Sequence, residues 1–186
     1  MGLDSVELLV ETENFFGINI PGTEAETITT LQKMTDIIAG HLHISDPSTA
    51  LKTKVYDKVC QALVTLGFTD VPPGMDSSFF KCLDPRDRTS LQALEDELQW
   101  KLCRPFIGRK NLFSYFTSGY DWQSITTGQF IDALCAENHK VLIPGGKPQN
   151  TYEIYILVMV LTADKTGCDF YELGPDISFT NDLGID

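Results

Sequence analysis

Apolar positions recur at helical spacing along most of this chain, and they predict a succession of helices. From Ser5 to Phe16, taken at 100° per residue, Leu8, Leu9, Thr12, Phe15 and Phe16 fall on one broad side with Val6 and Val10 adjoining. Glu7, Glu11 and Asn14 share the narrow polar edge, and acids near a helix start favour its dipole. Pro21-Gly22 closes that region, and Glu24-Ala25-Glu26 suits a short turn of helix. Ile28, Leu31, Met34, Ile38 and Leu42 then form a stripe, with Thr29 or Thr30 as N-cap. Val55, Val59, Leu63 and Leu66 mark another helix face, and Leu91, Leu94, Leu98 and Leu102 a further one. Phe130-Ile131-Asp132-Ala133-Leu134 follows, and Thr151 to Thr166 predicts a helix with Ile154, Leu157, Val158 and Leu161 on one face and Gly167 as its C-terminal cap. The fold class expected is all-α.

Composition narrows the function classes. A chain of 186 residues holds one or two domains, and 42% hydrophobic content is ordinary for a globular protein. The net charge of −12 disfavours binding to a phosphate backbone and favours basic partners or simply solubility, so no nucleic-acid partner is expected. The longest apolar run, Ile154 to Leu161, falls far short of the roughly 20 residues of a membrane span. The N-terminal stretch lacks the basic and apolar regions of a signal peptide, which points to the cytoplasm. Five cysteines (Cys60, Cys82, Cys103, Cys135 and Cys168) without CxxC spacing read as reduced, buried thiols. His41, His43 and His139 have no acidic cluster at metal-ligand spacing, so no metal is expected. Gly-rich phosphate loops, HExxH and GxSxG are missing as well, and no catalytic residue or enzymatic activity is expected.

One stretch carries more. Asp4-Ser5, then the apolar and acidic helix, then Phe16-Gly17-Ile18-Asn19-Ile20-Pro21, resembles the acyl carrier proteins from their modified serine onward. Residues 3–42 are similar to the family's second, third and fourth helices, Ile28-Thr29-Thr30 standing before the last. The first helix has its counterpart at the other end, in 151–166. After it, Pro175-Asp176-Ile177-Ser178-Phe179-Thr180-Asn181-Asp182-Leu183-Gly184-Ile185-Asp186 looks like the loop that leads to the serine. Gly184-Ile185-Asp186 duplicates the pattern of Gly2-Leu3-Asp4, so the chain looks like a circular permutant of a carrier domain. A domain-swapped assembly is the alternative, and a monomer is the expectation. In three respects the pattern departs from the family's: the serine-to-helix spacing is about one turn short of many relatives, Val6 stands where leucine or methionine is usual, and the segment before the serine is severed.

The middle of the chain looks like a second, degenerate copy. Ser77-Ser78-Phe79 parallels Ile177-Ser178-Phe179, and Leu83-Asp84 parallels Leu183-Gly184. Ser124-Ile125-Thr126-Thr127 parallels Thr27-Ile28-Thr29-Thr30. The Asp-Ser pair is missing from this copy. Counting forward from Phe79 puts Asp87 where the serine belongs, and counting back from the helix puts Ser90 there. An aromatic insertion with Phe106, Phe113, Tyr115, Phe116, Tyr120 and Trp122 reads as a hydrophobic cap first and a docking surface second. The linker 143–150 has turn composition.

The resemblance implies two small acyl-carrier-like helical bundles, 1–46 plus 149–186 and 50–143, the first completed by the C-terminal helix. It implies a 4′-phosphopantetheine arm on Ser5, with Asp4 as motif neighbour, holding an acyl or related intermediate as a thioester. Glu7 and Glu11 would be a docking edge for basic patches on a phosphopantetheinyl transferase and on synthases of fatty-acid, polyketide or peptide type. Read bottom-up, the same edge is a solvated face and Ser5 a helix N-cap, and neither reading excludes modification. A hydroxyl without a base is a poor nucleophile, which suits a group modified by another enzyme. A carrier-like interaction module without an arm is the alternative function.

Overall fold

The computed structural model describes residues 3–103 and 122–184, and side chains from Ser5 onward. Its regular elements are helical: α1 Leu3–Phe16, α2 Gly22–Ala25, α3 Leu31–Leu42, α4 Ala50–Thr65, α5 Arg88–Leu98, α6 Thr127–Glu137, α7 His139–Leu142 and α8 Thr151–Thr166. Short 3₁₀ turns and two isolated backbone bridges complete the described secondary structure. No described helix is long and apolar enough to cross a membrane. The aromatic insertion, Trp122 excepted, lies outside the described residues, as do the side chain of Asp4 and residues 185–186.

The chain divides into two compact units, residues 1–51 with 139–186 and residues 52–138. In the first, α8 packs against both α1 and α3. Tyr152 and every residue from Ile154 to Thr162 are buried. The expected single stripe of Ile154, Leu157, Val158 and Leu161 is therefore only part of the buried surface. A helix apolar all round belongs in the middle of a bundle, not on its surface. Asn150 caps it, accepting from the Glu153 N–H at 2.9 Å, and Gly167 ends it in the left-handed conformation.

Other boundaries shift by a few residues. Thr30, not Thr29, caps α3, accepting from the Lys33 N–H, and Leu31, Met34 and Ile38 are buried while Leu42 is half-buried. Leu66 follows α4 and Leu102 follows α5, because Gln99 takes a left-handed φ of 58° and turns the chain. Leu102 is buried nonetheless.

In the second unit, Lys52 of α4 pairs with Asp132 of α6 at 2.8 Å, and Lys58 donates to the Leu98 carbonyl at the end of α5 at 2.6 Å. Phe79 stacks on Phe130 with centroids 3.5 Å apart.

The same backbone hydrogen bonds are found within each unit. Phe179 N–H donates to Thr29 O at 3.1 Å, and Phe79 N–H to Ile125 O at 3.0 Å. Gln32 N–H donates to Pro175 O at 2.9 Å, and Gly128 N–H to Met75 O at 2.8 Å. Bridges join Thr30 to Ser178 and Ser78 to Thr126. Thr126 caps α6 as Thr30 caps α3, so Thr30 corresponds to Thr126 and not, as the sequence pattern suggested, to Thr127. In the first unit the loop follows the capped helix in the chain; in the second it precedes it.

Candidate functional site

α1 winds from Leu3, so Ser5 lies within its first turn and is not the N-cap. The side chain of Ser5 is half-buried. The core face of α1 is narrow. Leu8 and Thr12 are buried, whereas Val6, Val10 and Phe15 are 43%, 47% and 43% exposed. The two valines, which adjoin the apolar side in the sequence pattern, are surface residues. They line a shallow surface groove of about 380 Å³ with Glu7, Glu11, Asn14 and Lys165. Lys165, near the end of α8, pairs with Glu7. Glu7 and Glu11 are exposed as expected, one turn apart, and the groove sets them beside the two valines.

The sequence reading missed Glu13, whose carboxylate accepts from the Ile20 N–H at 2.6 Å and fixes the chain where it leaves α1. No local pattern marks it, since the bond forms only once the chain has turned at Gly17, φ 66°. The apolar role of Val6 and Val10 did have a signal, their i,i+4 spacing one position before Glu7 and Glu11.

The second unit repeats this construction 82 residues later. Glu95 accepts from the Leu102 N–H at 2.9 Å, as Glu13 does from Ile20. Gln99 turns the chain with φ 58°, as Gly17 does with φ 66°. A groove of about 490 Å³ is lined by Arg88, Thr89, Gln92, Ala93 and Asp96, the positions that correspond to Val6, Glu7, Val10, Glu11 and Asn14. By this correspondence Ser5 matches Asp87 and Ser90 matches the buried Leu8. Asp87 caps α5, accepting from the N–H groups of Thr89 and Ser90 at 3.0 and 3.2 Å and from the Ser90 hydroxyl at 2.6 Å. The Ser90 hydroxyl bond, then the backbone bonds, hold the pKa of Asp87 below the usual carboxylate value.

The remaining candidates have structural surroundings. His41 bonds Glu24 at 2.7 Å, and His43 is the left-handed C-cap of α3. Among the described residues no three His, Cys, Asp or Glu side chains gather as a metal site. None of the five cysteines is in a disulfide; Cys60 and Cys135 are buried and the other three half-buried. Burial chiefly pushes the Cys60 thiol up, against the hydrogen bond from Tyr56.

No protein-family model matches the chain, and no solved structure does. A curated acyl carrier protein of Rubrobacter xylanophilus is 49% identical over 39 residues, 21% of this chain. The match takes in 48% of that relative, so the chain spans about half its length.

Proposed function

We propose that the first unit is a carrier domain whose Ser5 hydroxyl takes a 4′-phosphopantetheine arm and holds an acyl or related intermediate as a thioester. The observation that carries this reading is the placement of Ser5, half-buried in the first turn of α1 and just ahead of the groove of Val6, Glu7, Val10 and Glu11. The 39-residue similarity to an acyl carrier protein supports it. The arm would supply a flexible thiol; this chain supplies the attachment hydroxyl, a helix dipole that favours phosphate near its start, and a surface for partners. Asp4 stands beside the attachment point in sequence.

The partners are a phosphopantetheinyl transferase and the synthases that load and use the acyl group, in fatty-acid, polyketide or peptide-type synthesis. The chain itself catalyses nothing in this scheme and works as a cytoplasmic monomer. Residues 1–46 plus 149–186 form the permuted carrier domain and 50–143 a degenerate copy. The recurring hydrogen bonds of the loop and the capped helix, met in opposite chain order, support that arrangement.

Asp87 favours a second reading for the other unit, an interaction module that keeps the helical scaffold without an arm.

Incubation with coenzyme A and a broad-specificity transferase, followed by intact-mass spectrometry, tests the first reading. The wild-type chain should gain one phosphopantetheine and Ser5→Ala none. A gain on Ser5→Ala, or none on the wild type, overturns it.

A further inference from the structure

The two grooves occupy corresponding places on α1 and α5 yet differ at every lining position. Val6 and Val10 become Arg88 and Gln92, which replaces both valines with polar side chains. Glu7 and Glu11 become Thr89 and Ala93, which removes both acids, while Asn14 becomes Asp96. The substitutions follow a wider division of charge. The unit of residues 1–51 and 139–186 holds 15 acids and 4 Lys or Arg, net −11; residues 52–138 hold 11 acids and 10 Lys or Arg, net −1.

A partner that presents cations around an apolar contact meets two valines and two acids at α1 but, at α5, no valine, one acid and an arginine. We propose that the second unit is kept free of the arm by two separable features: Asp87 at the position of Ser5, and a groove on α5 that the transferase does not accept. This rests on the arm-carrying reading of Ser5. Arg88, Thr89, Gln92 and Ala93 are then specificity-determining residues, acting through the missing partner contact and not through the acceptor hydroxyl.

The local scaffold permits a direct test. Serine caps helices as well as aspartate does, so Asp87→Ser keeps an N-cap on α5. In the full chain carrying Ser5→Ala, any mass gain reports position 87 alone. Asp87→Ser should be loaded at least roughly tenfold more slowly than wild-type Ser5, the lower end of the rate range that charge complementarity controls. Adding Arg88→Val, Thr89→Glu, Gln92→Val and Ala93→Glu should bring the rate to within a few-fold of wild type.

The reciprocal variant leaves every buried residue alone. Val6→Arg with Val10→Gln changes two exposed side chains, keeps Ser5, and should slow its loading roughly tenfold. Circular dichroism confirms that each variant is folded. Loading of Asp87→Ser at the wild-type rate overturns the proposal, as does a grafted α5 that stays unloaded while wild-type Ser5 is loaded. An unaltered rate for the reciprocal variant overturns it too. If wild-type Ser5 takes no arm, the arm-carrying reading falls and this inference falls with it.

Discussion

Thr12, Thr35 and Thr162 are buried in the first unit, one on each of α1, α3 and α8. Two of them satisfy their hydroxyls inside their own helix, Thr12 donating to Leu8 O at 2.8 Å and Thr35 to Leu31 O at 2.9 Å. The Thr162 hydroxyl has no hydrogen-bond partner among the described residues. The corresponding places in the second unit hold Leu94, Ile131 and Ala62, all buried and apolar. A buried hydroxyl left unpaired costs about 1–3 kcal/mol. Thr162→Val should therefore raise stability by roughly 1 kcal/mol, read as a higher midpoint in thermal or urea unfolding. A lower midpoint would show that the hydroxyl is bonded in solution. At Asp87 the sign runs with pH. Its pKa is lowered in the folded chain, so the cap stabilises at pH values above the unfolded carboxylate's pKa and is lost as pH falls through the folded value. Asp87→Asn keeps a capping oxygen without the charge. Helix content followed through acid titration should fall later for that variant than for wild type.

Among the elements, the stripes read best from sequence are those with one buried face. On α3, Leu31, Met34 and Ile38 are buried and Gln32, Lys33 and Asp36 exposed, so periodicity alone placed the core. On α8 the same method picked four residues and missed Tyr155, Ile156, Met159 and Val160, because a stripe always selects an arc even where the whole circumference is buried. On α1 it placed Phe15 on the apolar side with Val6 and Val10 adjoining, and all three are exposed, since hydrophobicity does not reveal which apolar residues a partner helix reaches. Ser5, Glu7 and Glu11 are candidates that the motif alone picks out; the groove around them, Lys165 and the Glu13 brace have no such mark, because those depend on α8 and on the turn after α1. Alanine substitutions separate the two views of α8. Leu157 lies on the expected stripe and Ile156 off it, yet both are fully buried. Each should lose about 2–5 kcal/mol on truncation to alanine. A single buried face would make Ile156→Ala nearly silent in chemical denaturation.

At the scale of the whole molecule, acidity is unevenly shared, and the optical probes happen to be shared unevenly too. The unit of residues 1–51 and 139–186 carries net −11 against −1 for residues 52–138. Like charges at that density repel one another in the compact state, and salt relieves the repulsion. The screening length falls from about 30 Å at 0.01 M to about 3 Å at 1 M, so added salt acts first on exposed acids such as Glu7 and Glu11. Both tryptophans, Trp100 and Trp122, lie in the second unit, whereas α8, the buried centre of the first, carries Tyr152 and Tyr155. Trp100 sits under the Lys58 ammonium at 4.0 Å and Trp122 beside Phe80 at 6.2 Å, so their emission follows local unfolding of residues 52–138. Raising sodium chloride from 0.01 to 0.5 M should lift the midpoint of helix loss, which includes α1, α3 and α8, by several degrees. The tryptophan midpoint should move less, because its unit has little net charge to screen. Equal shifts in the two signals would show that salt does not act through the charge on the serine-bearing unit. The same titration bears on docking, since an acidic groove that attracts a basic partner must lose association rate over that range of salt.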